Sequence, residues 1–464
     1  MYVKKLHIEN FRGIRKMELE LHPKMNVIIG VNGAGKSSVL DVLATSLSWW
    51  EAMWCGTNMK RWRGESFLPQ DTTNDTENGS CTVELNFGES HPEEKTSWTI
   101  NFYRNRLPQP DDNHPLTGTF ASLNETVDKL KYDTSFRYPP TVYYPTDRTE
   151  KYFRNYSEIP NSTLQEILSE RVPAFETLEH LFPASERERD PTIASIRVRN
   201  NYSELLDRMN RLQKKENSKL RELKEFGRDD SDPNSYQSPI LNAIKRAWSK
   251  LFSDTLTNFI IDDQHPYSLD NSPYLYCYKS GQKITDTQLS GGEKAVLALV
   301  GSLTQNYCSN YNDSCDQLDQ HGIVLIDEID LHLHPQWQRT ILHKLQEIFP
   351  NTQFIVTTHS PQVVGELKSE HIIRLEDTGN GIEAFPANGE TYGMTSNDIL
   401  RTQMESTERN MTVSDMLEQA FLEVEYGNLD KAKELKSKLE EMAEDIPELV
   451  RLDMRISLKE VTGK

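Results

Sequence analysis

A glycine-rich segment that ends in lysine and serine has the clearest chemistry in the sequence. Residues 30–37 read Gly-Val-Asn-Gly-Ala-Gly-Lys-Ser, which fits G-x-x-x-x-G-K-[ST]. The apolar run Met25–Ile29 precedes it, and apolar residues at helical spacing follow. Small residues let backbone N–H groups turn around a phosphate, and the helix start adds the positive end of its dipole. We therefore predict a nucleotide phosphate site, in which Lys36 reaches the β- and γ-phosphates and Ser37 binds Mg²⁺. The residues predicted to line it are Asn32, Gly33, Ala34, Gly35, Lys36, Ser37 and Ser38.

Two carboxylates stand at the end of another apolar run. Residues 323–328 read Ile-Val-Leu-Ile-Asp-Glu. At such a strand end, Asp327 is placed to hold Mg²⁺, and Glu328 is placed to orient and deprotonate an attacking water molecule. Taken alone, the pattern is equally typical of a buried strand that runs into a solvated acidic turn. The phosphate site upstream favours the catalytic interpretation.

A histidine ends a further apolar run, residues 353–359. His359 follows Glu328 by 31 residues. A single histidine at a strand end is usually structural, but an imidazole beside a γ-phosphate senses or stabilises its charge. Because the phosphate motif and the carboxylates are both present, we predict the second role for His359.

A second helix start of the anion-binding type lies at residues 289–294, Leu-Ser-Gly-Gly-Glu-Lys. Ser290 and Glu293 fit a capping box, while Gly291 and Gly292 favour a helix N-terminus that accepts an anion. An ordinary N-cap gives the same pattern, and the two roles are compatible. One ATP molecule meets both helix starts only if they face each other from two subunits; otherwise one of them is idle.

The sequence also predicts the secondary structure around these motifs. Alternating apolar residues predict two strands with a turn at Arg12-Gly13. Residues 197–228 carry ten basic and five acidic side chains, and their apolar residues recur at helical spacing. They predict a short helical arm that is either a DNA or partner contact or a solvated helix face. Residues from Met404 onward carry 15 acids against 9 bases and predict a helical tail.

Composition sets further limits. The chain has 464 residues, 36% hydrophobic and 27% charged, with a formal net charge of −19. No run approaches the length of a membrane helix, and the N-terminus lacks a signal-peptide core, so we expect a cytoplasmic protein without a membrane partner. Five scattered cysteines without a CxxC pair predict neither a zinc site nor a disulfide framework. The negative charge excludes a general DNA coat, so any DNA contact is local or made through a partner.

The motifs together resemble the ABC-type ATPases. Residues 289–294 look like their signature motif, which lies after the phosphate loop and shortly before the Asp-Glu strand in both. His7–Ile14 resembles the opening of RecF-, SMC- and OLD-like heads, which implies that Arg12 lies near the nucleotide. Residues 327–335, Asp-Glu-Ile-Asp-Leu-His-Leu-His-Pro, resemble the OLD-like defence ATPases. The resemblance implies ATP and Mg²⁺ as cofactors and a head-to-head dimer that places the signature residues in trans. No glutamine stands at the Q-loop position near Tyr144, where Asp147 or Arg148 is a substitute.

The expected fold is α/β, an ABC-type (P-loop) ATPase head with an N-terminal β-subdomain, a short inserted helical arm and a helical C-terminal tail. We expect four regions: 1–150, the N-terminal lobe with the phosphate loop; 151–270, the arm; 271–395, the C-terminal lobe; and 396–464, a partner-binding or oligomerisation tail. The tail lacks the Asp-x-Asp cluster of a Toprim nuclease, so no nuclease site is expected in this chain.

Over its whole length the chain resembles the PtuA family of Septu anti-phage systems, which also occurs beside some retrons. That resemblance implies an ATP-hydrolysing sensor that acts on DNA with an HNH nuclease partner of the PtuB type, in a higher homo-oligomer. DNA contact is expected through 197–228 or through that partner. Two alternatives stay open at this point: a RecF/SMC-like DNA-repair ATPase, and a scaffold that binds ATP with little hydrolysis.

Overall fold

The chain is described by a computed structural model over most of its length. The described residues are 1–55, 65, 67–88, 95–104, 119–133, 136, 138–146, 197–198, 201–225, 238–253, 255–262, 273–309, 317–404, 410–443 and 446–462. Contacts divide the chain into two compact units, Met1–Gly393 and Met394–Lys464. Finer boundaries at 150 and 270 remain predictions, and the Q-loop substitutes Asp147 and Arg148 lie outside the described residues.

The first unit contains both strands and helices. The strands are β1 (Tyr2–Phe11), β2 (Ile14–Glu20), β3 (Met25–Ile29), β4 (Asn78–Asn86), β5 (Lys95–Tyr103), β6 (Thr141–Tyr144), β7 (Leu256–Asp262), β8 (Tyr274–Lys279), β9 (Gln282–Thr285), β10 (Gly322–Ile326), β11 (Thr352–Thr357), β12 (Ile372–Asp377) and β13 (Ile382–Pro386). The helices are α1 (Lys36–Cys55), α2 (Thr119–Tyr132), α3 (Tyr202–Glu225), α4 (Pro239–Phe252), α5 (Gly291–Ser309), α6 (Pro335–Ile348) and α7 (Pro361–Val364).

A six-stranded sheet forms the centre of this unit, in the order β13-β12-β3-β11-β10-β6. All its described pairings are parallel except that of β12 with β13. Every residue of β3, β10 and β11 is buried, as expected for parallel strands covered on both faces. The carboxyl ends of β3, β11 and β10 therefore lie side by side at one edge, and the three predicted motifs follow those ends.

An antiparallel sheet, β2-β1-β4-β5, packs against the central sheet through helix α1. Side chains of α1 share one buried core with residues of β1 and β4 on one side and of β10 and β11 on the other. The predicted hairpin around Arg12-Gly13 is confirmed, because β1 and β2 pair up to Phe11 and Ile14. This arrangement holds the start of α1 rigidly beside the central sheet.

Helices α3 and α4 occupy the predicted arm, but they pack on the head. A Cβ atom on Gly301 of α5 would lie 2.5 Å from Leu205 of α3 and 3.2 Å from Trp248 of α4. The Trp248 indole also donates a hydrogen bond to the Leu297 carbonyl of α5 at 2.9 Å. The first turns of α3 therefore bury Leu205 and Met209, so the apolar residues of this region serve packing.

The second unit is helical: α8 (Ser396–Thr402), α9 (Met411–Tyr426), α10 (Leu429–Met442) and α11 (Pro447–Thr462). Gly427, with φ of 82°, ends α9 in the left-handed conformation that favours glycine. The last three helices bury Ala420, Ala432 and Leu452 between them. None of the helices in the described ranges combines the length and apolar character needed to cross a bilayer.

Candidate functional site

The phosphate loop leaves β3 and enters α1 through three glycines with positive φ. The φ angles of Gly30, Gly33 and Gly35 are 153°, 83° and 82°. A Cβ atom on Gly30 would lie 2.6 Å from the Leu375 carbonyl oxygen, so a larger residue would push the loop off the sheet. Gly33 is exposed and has open space around its Cα, so a ligand could approach the backbone closely there.

The other residues predicted to line the phosphate site differ in their exposure to solvent. Asn32 is exposed, Ala34 is buried, and Ser37 and Ser38 are both half-buried in the first turn of α1. An anion-binding loop combines the same features: exposed residues at its opening, a small residue packed against the sheet, and hydroxyl groups at the helix start.

Lys36 lies at the bottom of the loop with only 6% of its surface exposed. Its ammonium donates hydrogen bonds to the carbonyls of Gly30 at 2.9 Å and Val31 at 3.0 Å. Burial lowers the pKa of Lys36, and the carboxylates of Asp327 and Glu328 oppose part of that shift. The lysine and the carboxylates thus share one electrostatic environment, although nearly three hundred residues separate them.

A threonine at the end of β11 positions the two carboxylates that follow β10. The Thr357 hydroxyl donates to Asp327 Oδ1 at 2.6 Å and accepts from the backbone N–H of Glu328 at 2.8 Å. Asp327 is buried, with one carboxylate oxygen held by this hydroxyl. Glu328 has φ of 49°, a left-handed conformation that costs free energy in a residue other than glycine.

The environment of Glu328 suits a general base. Burial raises the pKa of Glu328, and the neighbouring negative charges of Asp327 and Asp330 raise it further. A carboxylate with a raised pKa accepts a proton from water more readily than an ordinary glutamate.

Asp330 connects the segment after β10 with the end of β11. Its Oδ1 accepts hydrogen bonds from the Thr358 hydroxyl at 2.5 Å and from the His359 backbone N–H at 3.3 Å. His359 is half-buried, and burial and the charge of Lys36 lower its pKa. A lowered pKa favours the uncharged imidazole at neutral pH, and a neutral imidazole carries one N–H donor.

Arg12 approaches the start of α1 from the β1–β2 turn. Its guanidinium contacts Ser38 Oγ at 3.3 Å, Asp41 Oδ2 at 2.9 Å and Asp71 Oδ1 at 3.1 Å. Arg12 has φ of 49°, so the turn holds it in a strained conformation. Arg12 thus lies beside Ser38, the residue after Ser37, and its predicted role at the nucleotide stays a prediction.

A second arginine reaches the same carboxylate from a distant part of the sequence. Arg197 donates to Asp41 Oδ1 at 2.8 Å and to Glu65 Oε2 at 2.9 Å, and its guanidinium lies 5.0 Å from the centroid of the Tyr143 ring. Only 10% of the Arg197 side chain is exposed. Counting Arg197 within a solvent-facing basic arm was therefore wrong, because buried carboxylates neutralise it.

The signature residues form the start of α5. Ser290 Oγ accepts from the Glu293 N–H at 3.2 Å, and Glu293 Oε2 accepts from the Ser290 N–H at 2.8 Å, which completes the capping box. Hydrogen bonds from Lys279 and Ser290 lower the pKa of Glu293. Gly291 has open space around it, whereas a Cβ atom on Gly292 would lie 2.7 Å from the His332 carbonyl. The helix start is thus packed on one side and accessible on the other.

The donor set fits a magnesium nucleotide. The Ser37 hydroxyl and the Asp327 carboxylate are hard oxygen ligands, as Mg²⁺ requires, and the open backbone at Gly33 fits a phosphate. Ser37 and Asp327 would hold the ion, which would neutralise charge on the phosphates. In the part of the chain that the structure describes, no group of three or more His, Cys, Asp or Glu side chains is placed to hold a metal ion.

Several supporting residues carry no recognisable sequence motif. Asp41 and Arg197 are far apart in sequence, and only the fold brings them together. Thr357 and Thr358 directly precede His359, so two hydroxyl side chains at the end of a predicted strand could have indicated that they support the site. Asp330 stood inside the recognised acidic segment, where its role as an acceptor was missed.

Comparison with known proteins agrees with this geometry. Over 447 residues the chain is 26% identical to the retron Ec83 probable ATPase of Escherichia coli, which covers 87% of this chain and 76% of that protein. It is 26% identical over 404 residues to the retron Vc95 probable ATPase of Vibrio cholerae, covering 84% and 76%. It is also 34% identical over 154 residues to the Septu protein PtuA of Bacillus thuringiensis, covering 32% and 38%.

The family comparison covers most of the chain. Residues 2–383 match the family described as RecF/RecN/SMC N terminal domain, and this range includes the phosphate loop, the signature, the carboxylates and His359. The expected ABC-type α/β head is therefore confirmed, and the chain belongs to the RecF/RecN/SMC N-terminal domain family.

Proposed function

We propose that this chain binds and hydrolyses ATP. The observation that carries the proposal is that Lys36, which follows β3, shares one electrostatic environment with Asp327 and Glu328, which follow β10. Strand β11 lies between β3 and β10 and pairs with both. In this arrangement the loop and Lys36 hold the phosphates, Glu328 accepts the proton of the attacking water, and neutral His359 donates to the γ-phosphate.

A direct test measures phosphate release by the purified chain with ATP and Mg²⁺. Lys36→Ala should abolish release, and Lys24→Ala, which removes an ammonium from the same first unit but not from the loop, should leave it intact. Unchanged release after Lys36→Ala would contradict the site. The scaffold alternative predicts tight ATP binding with almost no release by the unaltered protein.

The signature completes the site in trans. The open side of Gly291 and the capped helix start match an anion site that belongs to the nucleotide of a second copy. Two copies facing head to head would then enclose two ATP molecules, each between one phosphate loop and one signature.

The biological role follows from the relatives. We infer a regulatory ATPase of anti-phage defence, because two relatives that match most of the chain are named retron probable ATPases and a shorter match is to a Septu protein PtuA. The partner in this proposal is an HNH nuclease of the PtuB type that cuts DNA under the control of the nucleotide state. Co-expression with the neighbouring gene product, followed by mass measurement of the purified complex, tests it. A stable complex supports the proposal, and a chain that binds no nuclease contradicts it.

The second unit supplies a protein-binding surface for this partner. Helix α11 buries Leu449, Leu452 and Ile456 on one face, and its other face exposes four apolar residues. These are Val450, Met454, Leu458 and Val461, which recur at helical spacing. A contiguous exposed apolar stripe of this kind is typical of an interaction site.

Polar substitutions test that surface. Changing Val450, Met454 and Leu458 to serine should remove the nuclease from the complex without lowering ATP hydrolysis. A loss of homo-oligomer mass with the nuclease still bound would assign the stripe to self-assembly instead.

A further inference from the structure

A basic groove of about 900 Å³ lies between helix α4 and strands β7 and β8. Three cations line it: Lys245, Arg246 and Lys250. Arg246 and Lys250 are exposed, while Lys245 is half-buried, where burial lowers its pKa and Glu216 on α3 opposes part of the shift. Among the described residues that line the groove, none is acidic. In a chain with a net charge of −19, this is a local surface of opposite sign.

A row of tyrosines continues from the groove along the outer face of the sheet. On β8, Tyr274, Tyr276 and Tyr278 alternate with the buried Leu275 and Cys277, so the three rings share one face. Tyr278 also lines the groove. The row of rings and the cations are therefore parts of one continuous surface.

Neighbouring strands extend this surface. Lys283 of β9 pairs with Tyr278, and its ammonium lies 4.1 Å from the centroid of the Tyr276 ring. Ile260 of β7 pairs with Tyr276, and 46% of its surface is exposed. The exposed face of this sheet thus presents cations and aromatic rings side by side, and both are groups to which nucleic acids bind.

A β-bulge turns the edge of the sheet toward the groove. The register of β7 against β8 shifts between Thr257 and Ile260, and Asn258 has φ of 52°. Both Asn258 and Ile260 line the groove as a result. Bulges of this kind re-aim side chains and are over-represented beside functional sites.

We propose that the groove and the tyrosine face bind single-stranded nucleic acid. The cations meet the phosphate backbone, and the tyrosine rings stack on unpaired bases, a combination that sequence-tolerant single-strand binders use. A duplex keeps its base faces stacked inside, so it would use the cations and gain nothing from the rings. The surface shares no residue with the ATP site, so the proposal stands independently of ATP hydrolysis.

The test is fluorescence anisotropy with a labelled oligo(dT) of about 20 nucleotides, long enough for a site of roughly 4–16 nucleotides, without ATP. The double variant Arg246→Glu, Lys250→Glu should weaken binding more than about tenfold. Its plot of log affinity against log salt should flatten by about 0.7 for each phosphate that the variant no longer neutralises. The control Lys16→Glu, Lys129→Glu changes the net charge equally on other elements of the same unit and should bind as the unaltered protein does.

A second variant separates stacking from charge. Tyr276→Ala with Tyr278→Ala should weaken binding by about tenfold or more while leaving the salt slope unchanged, because stacking releases no counterions. Circular dichroism and ATP hydrolysis of the same preparations show whether the fold and the nucleotide site survive, so a failure here is distinct from a failure of the ATPase proposal.

Three results would overturn the proposal: no binding by the unaltered protein, an equal weakening in the charge control, or a duplex that competes as well as the single strand. Binding of oligo(U) with the same dependence on both variants would support it and extend the ligand class to RNA.

Discussion

Two features distinguish Glu328 from an ordinary surface glutamate. Its backbone has φ of 49° and donates one hydrogen bond to the Thr357 hydroxyl at the end of β11, and burial with two neighbouring carboxylates raises its pKa. Both features oppose stability: strain of this kind costs about 1–3 kcal/mol. Both features, found beside Lys36, are consistent with the proton transfer that we propose for Glu328.

Replacing Glu328 with glutamine should reduce ATP turnover by about 10²–10⁴-fold, because the amide cannot accept a proton, while ATP binding is retained. In the unaltered protein, hydrolysis should fall as the pH drops through the raised pKa of Glu328, since only the deprotonated form is the base. The matched control is Glu366→Gln, a carboxylate that pairs with Arg339 on the surface. Steady-state rates across pH check both statements, and full activity of Glu328→Gln would refute the assignment.

Asp41 accepts from Arg12 and Arg197 at the start of α1, with only 5% of its side chain exposed. Arg197→Ala should destabilise the protein by about 3 kcal/mol or more, because it leaves Asp41 and Glu65 short of a buried partner. Arg15→Ala breaks an exposed pair with Asp75 and should cost less than about 1 kcal/mol. Chemical denaturation compares the two variants, and similar midpoints would show that the buried pairs contribute little.

At the scale of elements, the start of α5 is fixed against the segment after β10. The close approach of Gly292 to the His332 carbonyl joins the signature to the acidic segment that carries Glu328. A small cavity lined by Tyr144, Asp327 and Leu299 lies behind this junction, between the carboxylates and α5. A displacement of the start of α5 would therefore displace the segment after β10, and the reverse also holds.

Gly292→Ala should destabilise the head, whereas Gly291→Ala should not. At Gly292 the new Cβ atom would lie 2.7 Å from a backbone oxygen, a clash that costs about 1–3 kcal/mol. Alanine also has a higher helix propensity than glycine, but that gain of about 1 kcal/mol is smaller than most of this cost. At Gly291 the space is open, so only the gain remains. Thermal melting of the two variants is the measurement, and equal melting temperatures would show that the contact is not tight.

The sequence alone was sufficient to predict the elements that carry motifs. The strand–loop–helix at Lys36, the hairpin at Arg12 and the capped start of α5 follow from local patterns that agree with the fold. The sequence did not predict which side chains are buried by residues far away in the chain. The ten basic residues of 197–228 indicated a DNA or partner contact or a solvated helix face, but Arg197 is buried against Asp41, and Leu205 packs on α5. The groove on α4 and β8 gave no local pattern, because its cations and rings come from separate elements.

At the scale of the whole molecule, the chain presents two kinds of surface on an acidic background. The head exposes the start of α5, and the second unit exposes the apolar stripe of α11. A net charge of −19 keeps copies apart unless a ligand or a complementary surface joins them. ATP held between phosphate loop and signature would be such a ligand, and hydrolysis would release the contact.

The central claim, that ATP lies between two copies, is tested by combining Lys36→Ala in one copy with Ser290→Arg in the other. Each variant alone should be inactive. A heterodimer isolated through two different tags contains one site with both defects and one intact site, so it should recover about half of the unaltered ATPase rate. Recovery near that level would establish the shared site. A heterodimer as inactive as its parents, or full activity of Ser290→Arg alone, would contradict it.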